Sequence, residues 1–415
     1  MSNLGTQASL YGIGLWLFQQ RLQVVDFAAV AVVVTLARLA ILPVLGKRLA
    51  TWPRRRTMLV ANGIGGCVSG GLALLLLLGE GRQPLALLLA LMAISAAAEA
   101  ALVMTFSSLI TTLVPEASAQ RRAAGLFASS DGIVLTLAPF LGAALASQAG
   151  LQGLLVVDGL SFVWACLSVL FAPWPHSALL PMNSLCSLAP VAVGFFSQMA
   201  GLLRHASLGP LARQGMAIAF VYAGCEVLFP AWLVAGMGAD RLSSTLVVSG
   251  MGYGLGVLLW SWRRPSRPLD WLRWGALIQS GLLIGNALVV FELLIPIWWL
   301  GILLFSVSTP IIMAALQVLW LEQVASRDQP SRFALRLSLE WWSRIVGFVG
   351  LSVLADVFVG PMLRWQAWPG WLVSSIGSGP GRPMALTLAI GGWVLLLTTI
   401  SQASALHHSN SQVKP

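Results

Sequence analysis

Long apolar runs separated by short polar segments constrain this chain more than any other feature. A helix needs about 20 mainly apolar residues to cross the hydrocarbon core of a bilayer, and the chain contains twelve runs near that length. The sequence therefore predicts an all-α integral membrane protein with a short first helix. The predicted spans are residues 5–19, 24–46, 57–79, 84–114, 122–147, 151–172, 212–236, 242–262, 271–293, 295–321, 333–359 and 383–402.

The composition is typical of a protein embedded in a lipid bilayer. Only 9% of the residues are charged and 58% are hydrophobic, whereas soluble domains use Asp, Glu, Lys and Arg for about 25% of their residues. The four cysteines are scattered without paired spacing, which argues against a disulfide framework and against a metal site. No P-loop, dinucleotide fingerprint or nucleophilic constellation can be assembled, so we predict no cofactor and no enzymatic activity.

The basic residues indicate an orientation in the membrane. A net charge of +10 would suggest nucleic acid in a soluble protein, but most of the Lys and Arg residues lie in loops. With a cytoplasmic N-terminus, 17 of the 24 basic residues fall in cytoplasmic segments and five fall outside. Cytoplasmic loops collect Lys and Arg. We therefore predict a cell-membrane protein with both termini in the cytoplasm, whose basic residues meet lipid headgroups and not nucleic acid.

The longest connection divides the twelve predicted spans into six and six. Prolines break its first half, and its second half, residues 191–204, is a candidate surface helix. We predict a monomer with two six-helix bundles. The predicted domains are an N-terminal bundle at 1–172, a linker at 173–211, a C-terminal bundle at 212–402 and a cytoplasmic tail at 403–415.

A strongly basic loop, residues 43–56, joins spans two and three. Gly46 is followed, eight and nine residues later, by Arg54 and Arg55. This frame resembles the loop of the major facilitator superfamily, which reads Gly, three residues, Asp-Arg, two residues, Arg-Arg. Ala50 and Thr51 stand where that family has Asp-Arg, so the carboxylate that normally defines the motif is missing.

Spans five and six extend the resemblance. Residues 138–142 read Ala-Pro-Phe-Leu-Gly, and residues 158–162 read Asp-Gly-Leu-Ser-Phe. These segments resemble the Gly-Pro-x-x-Gly-Gly and Asp-x-x-Ser/Thr-Phe elements of the macrolide-efflux and siderophore-exporter branch, with Ala138 and Ala143 replacing two glycines. Pro139 removes a hydrogen bond within the helix and bends it, while Gly142 lets a neighbouring helix approach closely.

Carboxylates inside the spans are the candidate binding groups, because ionisable side chains at membrane depth are costly and tend to be functional. Glu99 lies near the middle of span four and Glu226 near the middle of span seven. The resemblance implies that both line a central cavity and bind substrate or protons. The alternative is a neutral Glu that is hydrogen-bonded to a neighbouring helix. Asp131 in span five is a third candidate and a competing partner for Arg38.

Arg38, Glu340 and Arg344 form a second group of charged residues. Arg38 and Glu340 each lie eight residues from the cytoplasmic end of their span, so both are about 12 Å deep. The resemblance implies that helices two and eleven meet between the bundles, and we therefore predict an interdomain latch made by Arg38 and Glu340. The open alternative is that Glu340 is neutralised within its own helix by the i, i+4 neighbours Arg336 and Arg344.

The resemblance implies a secondary transporter that exports an amphipathic small molecule, such as a macrolide-like drug or a siderophore, by proton antiport. The partners expected are the substrate, protons and the lipid bilayer. Two alternatives stay open. One is a carrier for lipid or nutrient uptake, and the other is a relative that no longer transports and serves as a membrane scaffold or sensor.

Overall fold

The computed structural model of the chain is helical in almost all of the residues that it describes. These are residues 2–21, 23–49, 52–78, 85–113, 117–174, 195–263, 267–286, 295–324, 329–364 and 379–412. They form two compact units. The first unit contains residues 1–20 and 29–192, and the second contains residues 21–28 and 193–415. The division between 192 and 193 falls inside the predicted linker, 173–211.

Five helices make up the first unit, apart from Arg21–Ala28, which belong to the second unit. They are α1 (Ser2–Arg21), α2 (Val24–Leu49), α3 (Arg54–Leu78), α4 (Leu85–Leu113) and α5 (Ala117–Phe171). Gly150 divides α5 into a first and a second arm, because its φ of 67° lies in the left-handed region that only glycine adopts freely. The spans predicted at 122–147 and 151–172 are these two arms. The predicted first span, 5–19, lies within α1, which contains 20 residues and is about 30 Å long.

The second unit begins with a short helix in the region predicted to be a surface helix. Its helices are α6 (Phe195–Arg204), α7 (Leu208–Met237), α8 (Ala239–Arg263), α9 (Pro268–Asn286), α10 (Ile295–Gln323), α11 (Gln329–Val353), α12 (Gly360–Arg364) and α13 (Arg382–Gln412). A π-helical segment, Leu354–Val359, joins α11 to α12. The short helix α6 is amphipathic, with Met199 and Leu202 buried and the residues around them mostly exposed.

Many helices expose apolar side chains, as lipid-facing helices do. Within the described residues, nine helical segments are long and apolar enough to cross a membrane. Leu160, Trp164 and Leu258 are each more than 60% exposed, a pattern that would be costly in water. The prediction of an all-helical, multi-pass membrane protein is thus confirmed at this coarse level, whereas the count of twelve spans stays a prediction.

Close backbone approach holds part of the first unit together. A Cβ atom added at Gly142, in the first arm of α5, would lie 2.5 Å from the backbone oxygen of Ala8 in α1. Lipid tails are as apolar as the helices, so the hydrophobic effect does not drive helices together within a bilayer. Close contacts between small residues supply packing energy in its place. The predicted role of Gly142 in helix packing therefore has a specific partner.

Replacing Gly142 with Ala should destabilise the first unit, because the new methyl group meets backbone that cannot move aside. We expect a cost of about 1–3 kcal/mol, measured as a lower melting temperature of the purified protein in detergent. Gly70→Ala in α3 is the matched control, since a Cβ atom there has nothing within 4 Å, and it should leave stability unchanged or raise it by up to about 1 kcal/mol. Equal losses in both variants would contradict the packing role.

Candidate functional site

A partly buried ion pair lies inside the first unit. Arg38 Nη2 of α2 donates to Glu99 Oε2 of α4 at 2.6 Å, and Gln7 Nε2 of α1 donates to Glu99 Oε1 at 2.8 Å. The Glu99 side chain is 11% exposed and the Arg38 side chain 22% exposed. Three helices thus converge on one carboxylate, and both of its oxygens have donors.

This network shows the partners of Arg38 and Glu99, two residues that the sequence predicted to be functional. Sequence position gave the depth of Arg38 and Glu99 but not their partners. Gln7 was not predicted at all, and its only signal was an amide side chain within an otherwise apolar run. A buried pair whose remaining lone pairs are hydrogen-bonded recovers part of its desolvation cost, whereas loss of one member leaves an uncompensated charge.

Both members of the predicted Arg38–Glu340 latch have partners within their own units, and the latch itself, which would join the two units, stays a prediction. Arg38 pairs with Glu99 inside its own unit. Glu340 pairs instead with Arg336, four residues earlier in α11, at 2.7 Å, and Arg336 also donates to Gln317 Oε1 of α10 at 2.9 Å. The open alternative, neutralisation of Glu340 within its own helix, is therefore the arrangement found. Helical spacing fixed that pair locally, because residues at i and i+4 are neighbours on one face.

A second carboxylate–guanidinium pair joins α7 and α11. Arg344 Nη2 donates to Glu226 Oε2, and the Arg344 guanidinium lies 5.3 Å from the centre of the Phe348 ring and 5.8 Å from that of Trp341. The Glu226 side chain is 51% exposed, far more than Glu99. Of the predicted carboxylates whose side chains are described, Glu226 is the most accessible.

A polar cluster in the second unit was missed by the sequence analysis. Tyr222 of α7 donates its hydroxyl hydrogen to Gln279 Oε1 of α9 at 2.9 Å, and Gln279 Nε2 donates to Thr309 Oγ1 of α10 at 3.0 Å. Gln279 is fully buried. Its amide is fully used, which suits a structural link between three helices better than a group that waits for a ligand.

One buried carboxylate of the first unit, Asp158, was treated in the sequence only as part of the helix-six pattern. It lies in the second arm of α5, is 2% exposed, and accepts a hydrogen bond of 2.6 Å from Ser69 Oγ of α3. The criterion that selected Glu99, an ionisable residue within an apolar span, selects Asp158 equally well.

The basic loop makes contacts within the first unit. Arg55 Nη2 donates to the backbone oxygen of Leu170, near the C-terminal end of α5, at 2.9 Å. This contact satisfies one of the carbonyls that a helix end leaves without a partner. Arg54 is buried. The predicted roles of Gly46, Asp131 and Pro139 fall on side chains outside the described part of the chain.

An apolar groove lies in the second unit beside the π-helical segment. Its volume is about 470 Å³, and its walls come from α7, α11, the π-helical segment and α13. Phe220, Leu351, Phe358 and Ile390 are among the lining residues. No three His, Cys, Asp or Glu side chains of the described residues come together as a transition-metal site requires.

Comparison with solved structures shows that the chain shares its fold with several membrane transporters. The nucleoside transporter NupG, in a mutant form, superposes with a TM-score of 0.67 at 10% identity and covers 97% of this chain and 98% of its own. A bacterial homologue of the human lysosomal transporter Spinster gives 0.67 at 15% identity, with 98% and 93% covered. A structure from a study of proton-dependent oligopeptide transporters gives 0.68 at 11% identity, with 98% and 96% covered.

Sequence comparison adds no nearer relative. No protein-family model and no curated protein matches the chain. Similarity at 10–15% identity establishes the fold alone. The comparisons thus support the predicted transporter fold, whereas membership of the major facilitator superfamily and of its macrolide-efflux branch stays a prediction.

Removing one member of the buried pair should cost more than removing both. Arg38→Met leaves Glu99 charged and unpaired, and we expect it to lower stability by about 3 kcal/mol. The double variant Arg38→Met/Glu99→Gln should regain at least half of that loss. Melting temperatures of the four members of this double-mutant cycle, in one detergent at one pH, measure the coupling.

The exposed pair is the matched control for this cycle. Arg344→Met should cost less than about 1 kcal/mol, because solvent screens Glu226. If Arg344→Met were as costly as Arg38→Met, burial would not be the cause of the difference.

Proposed function

We propose that the chain is a secondary transporter that exports a small amphipathic molecule in exchange for protons. The observation that carries the proposal is the fold, which solved transporters share over at least 97% of this chain. Transporters of this kind alternate access to a site near the membrane midplane by moving one bundle against the other. We place the protein in the cell membrane as a monomer with both termini in the cytoplasm.

The Arg38–Glu99 pair is the proposed proton-responsive element of the first unit. A proton on Glu99 removes its charge and with it the attraction that holds Arg38 at 2.6 Å. The ionised carboxylate can instead accept a hydrogen bond from a donor group of the cargo, which a proton on Glu99 would displace. Charged pairs at membrane depth mark pathways for ions and substrates in other membrane proteins. Proton binding and cargo binding would thus compete for one network.

Glu226 is the second proposed group, in the second unit. Its side chain is 51% exposed, so a ligand can approach the carboxylate from outside the unit, and Arg344 of α11 pairs with it and stacks on the ring of Phe348. Asp131 stays a third candidate. The scarcity of charge in the spans and the apolar groove by the π-helical segment favour a bulky, largely apolar cargo.

A polar nutrient is the second candidate cargo, because the structures of similar fold include a nucleoside transporter and come from work on oligopeptide transporters. The scaffold hypothesis is a third candidate, motivated by Ala50 and Thr51 in place of Asp-Arg. These candidates differ in whether anything crosses the membrane, in what crosses it and in which direction.

The decisive experiment measures transport by the purified protein in sealed vesicles with an imposed pH gradient. The panel contains hydrophobic dyes, macrolides, nucleosides and dipeptides, each with and without a protonophore. We expect protonophore-sensitive movement of a dye or macrolide, and a loss of tenfold or more in Glu99→Gln. Glu226→Gln should lower transport less severely, because its pair is partly exposed.

Glu322→Gln is the matched control. Glu322 is an exposed carboxylate at the end of α10, and its removal should leave transport unchanged. Movement of nucleosides or dipeptides alone would favour the nutrient carrier. If the inserted wild-type protein moved nothing on the panel, transport would be ruled out for these cargo classes and the scaffold hypothesis would gain.

A further inference from the structure

The apolar groove of the second unit lies between α11 and α13. Both helices pack closely against α7, whose Phe220 forms the floor of the groove, but they make little contact with each other. At one end the π-helical segment packs against α13. The walls belong to three segments that are apolar enough to span a membrane, Leu208–Gly236, Leu335–Leu363 and Arg382–Gln402. The groove therefore opens at the depth of the hydrocarbon core.

No polar side chain lines this groove within the described part of the chain. All ten lining residues are Phe, Val, Leu, Ile or Gly. Val346 and Phe358, at its two ends along α11 and the π-helical segment, are 58% and 56% exposed, and Ile390 of α13 is 40% exposed. No side chain there can hydrogen-bond a water or a polar headgroup, so the groove suits an apolar occupant.

The π-helical segment keeps the groove nearly straight. Val346, Gly350, Leu354 and Phe358 follow one another along it at intervals of four residues. In an uninterrupted α-helix, a residue twelve positions further on would be rotated by about 120° from the first. A π-helix turns less per residue, so the segment Leu354–Val359 reduces this rotation and keeps Phe358 beside the groove.

The groove has the dimensions of a single hydrocarbon chain. From Val346 to Phe358 it extends over at most about 18 Å, close to the roughly 15 Å of one leaflet of the hydrocarbon core. Over that length, its volume of about 470 Å³ corresponds to a mean cross-section of roughly 25–30 Å², whereas a helix with its side chains is about 10–12 Å across and needs about 80 Å² or more. A helix from another chain is therefore too wide for the groove.

The groove is preformed and cannot be closed by a small shift of α11 along α7. A Cβ atom added at Gly347 of α11 would collide with the backbone oxygen of Phe220, so these two backbones already lie as close as they can. Gly350 differs, because a Cβ atom added there has nothing within 4 Å. An unfilled groove would forfeit the dispersion contacts of its lining.

We propose that the groove binds one acyl chain of a bilayer phospholipid. Lipid tails are as apolar as the lining, so the chain is selected by its contacts with preformed walls and not by the hydrophobic effect. An apolar cargo that entered the groove would have to displace this chain. The lipid site itself does not rest on the proposed export.

Photolabelling of the purified full-length protein tests the site. The probe is a phosphatidylcholine that carries a diazirine in the middle of one acyl chain, added in equimolar amount to delipidated protein in detergent. Mass spectrometry of the digested protein then locates the label. We expect it to concentrate between Val346 and Phe358 and around Ile390, and not on exposed apolar residues elsewhere, such as Leu74 of α3 and Leu160 of α5. Excess unlabelled phosphatidylcholine should compete it away.

Gly350→Leu is the main variant, because its new side chain occupies the space of the acyl chain. We expect label in the groove to fall by about tenfold, while an unchanged melting temperature shows that the protein still folds. Gly254→Leu is the matched control. Gly254 is an exposed glycine of α8 outside the groove, also with nothing within 4 Å of an added Cβ atom, and its variant should label like wild type.

Phe358→Ala is the second variant and serves if Gly350→Leu does not fold. It removes the wall at one end of the groove and should lower the label there several-fold. Its matched control is Val357→Ala, since Val357 is equally exposed in the same π-helical segment but does not line the groove. That control should retain the label of wild type.

Three results would overturn the inference. Label spread evenly over the exposed spans, and unchanged in Gly350→Leu and Phe358→Ala, would show that the groove holds no particular chain. Groove residues cross-linked to a second copy of the protein in place of lipid would make the groove a dimer interface. Label that a dye or macrolide competes away, and phosphatidylcholine does not, would assign the groove to cargo. Because the readout is labelling and not transport, failure of the proposed export leaves this test intact.

Discussion

The interior of a bilayer supplies neither water nor counter-ions, and the placement of polar side chains in this protein follows from that constraint. An isolated charge in hydrocarbon is costly, and among the described residues Glu99, Glu226 and Glu340 each pair with an arginine on another helix or on their own. The Glu99 carboxylate draws donors from α1 and α2. The pair therefore links three helices that small apolar contacts alone would hold less specifically.

The polar backbone groups at helix ends must also find partners. A helix leaves its last carbonyls without intrahelical partners, and the guanidinium of Arg55 reaches one of them at Leu170. The arginine side of the basic loop thus has a structural task inside the first unit. This contact does not involve position 50, where the Asp of the resembled motif is replaced by Ala50. The arginine can therefore stabilise the unit without that carboxylate.

Hydropathy predicted helix positions well because the thickness of the hydrocarbon core sets the length of each run. The span predicted at 84–114 is α4, Leu85–Leu113, and the gap predicted at 148–150 ends at the Gly150 break.

The partners of side chains were harder to predict than the positions of helices. Only the Arg336–Glu340 pair was accessible from sequence, because both residues lie on one face of one helix. Partners on different helices could not be derived, because depth in the membrane does not fix the rotation of a helix about its axis. The hydrogen bond between Ser69 and Asp158 depends on the approach of α3 to the second arm of α5, and a serine in an apolar run gives no sign of which helix it will meet.

The π-helical segment Leu354–Val359 has a consequence for how this chain tolerates changes of length. The amide of Gly360 bonds to the oxygen of Ala355, five residues back, so the segment holds one residue more than an α-helix would in the same space. Loss of one residue there would restore an ordinary helical turn and leave the flanking faces where they are. The same loss anywhere in α11 would rotate everything beyond it by about 100°. The segment is thus the one described stretch of this long helix where the chain can absorb a single deletion.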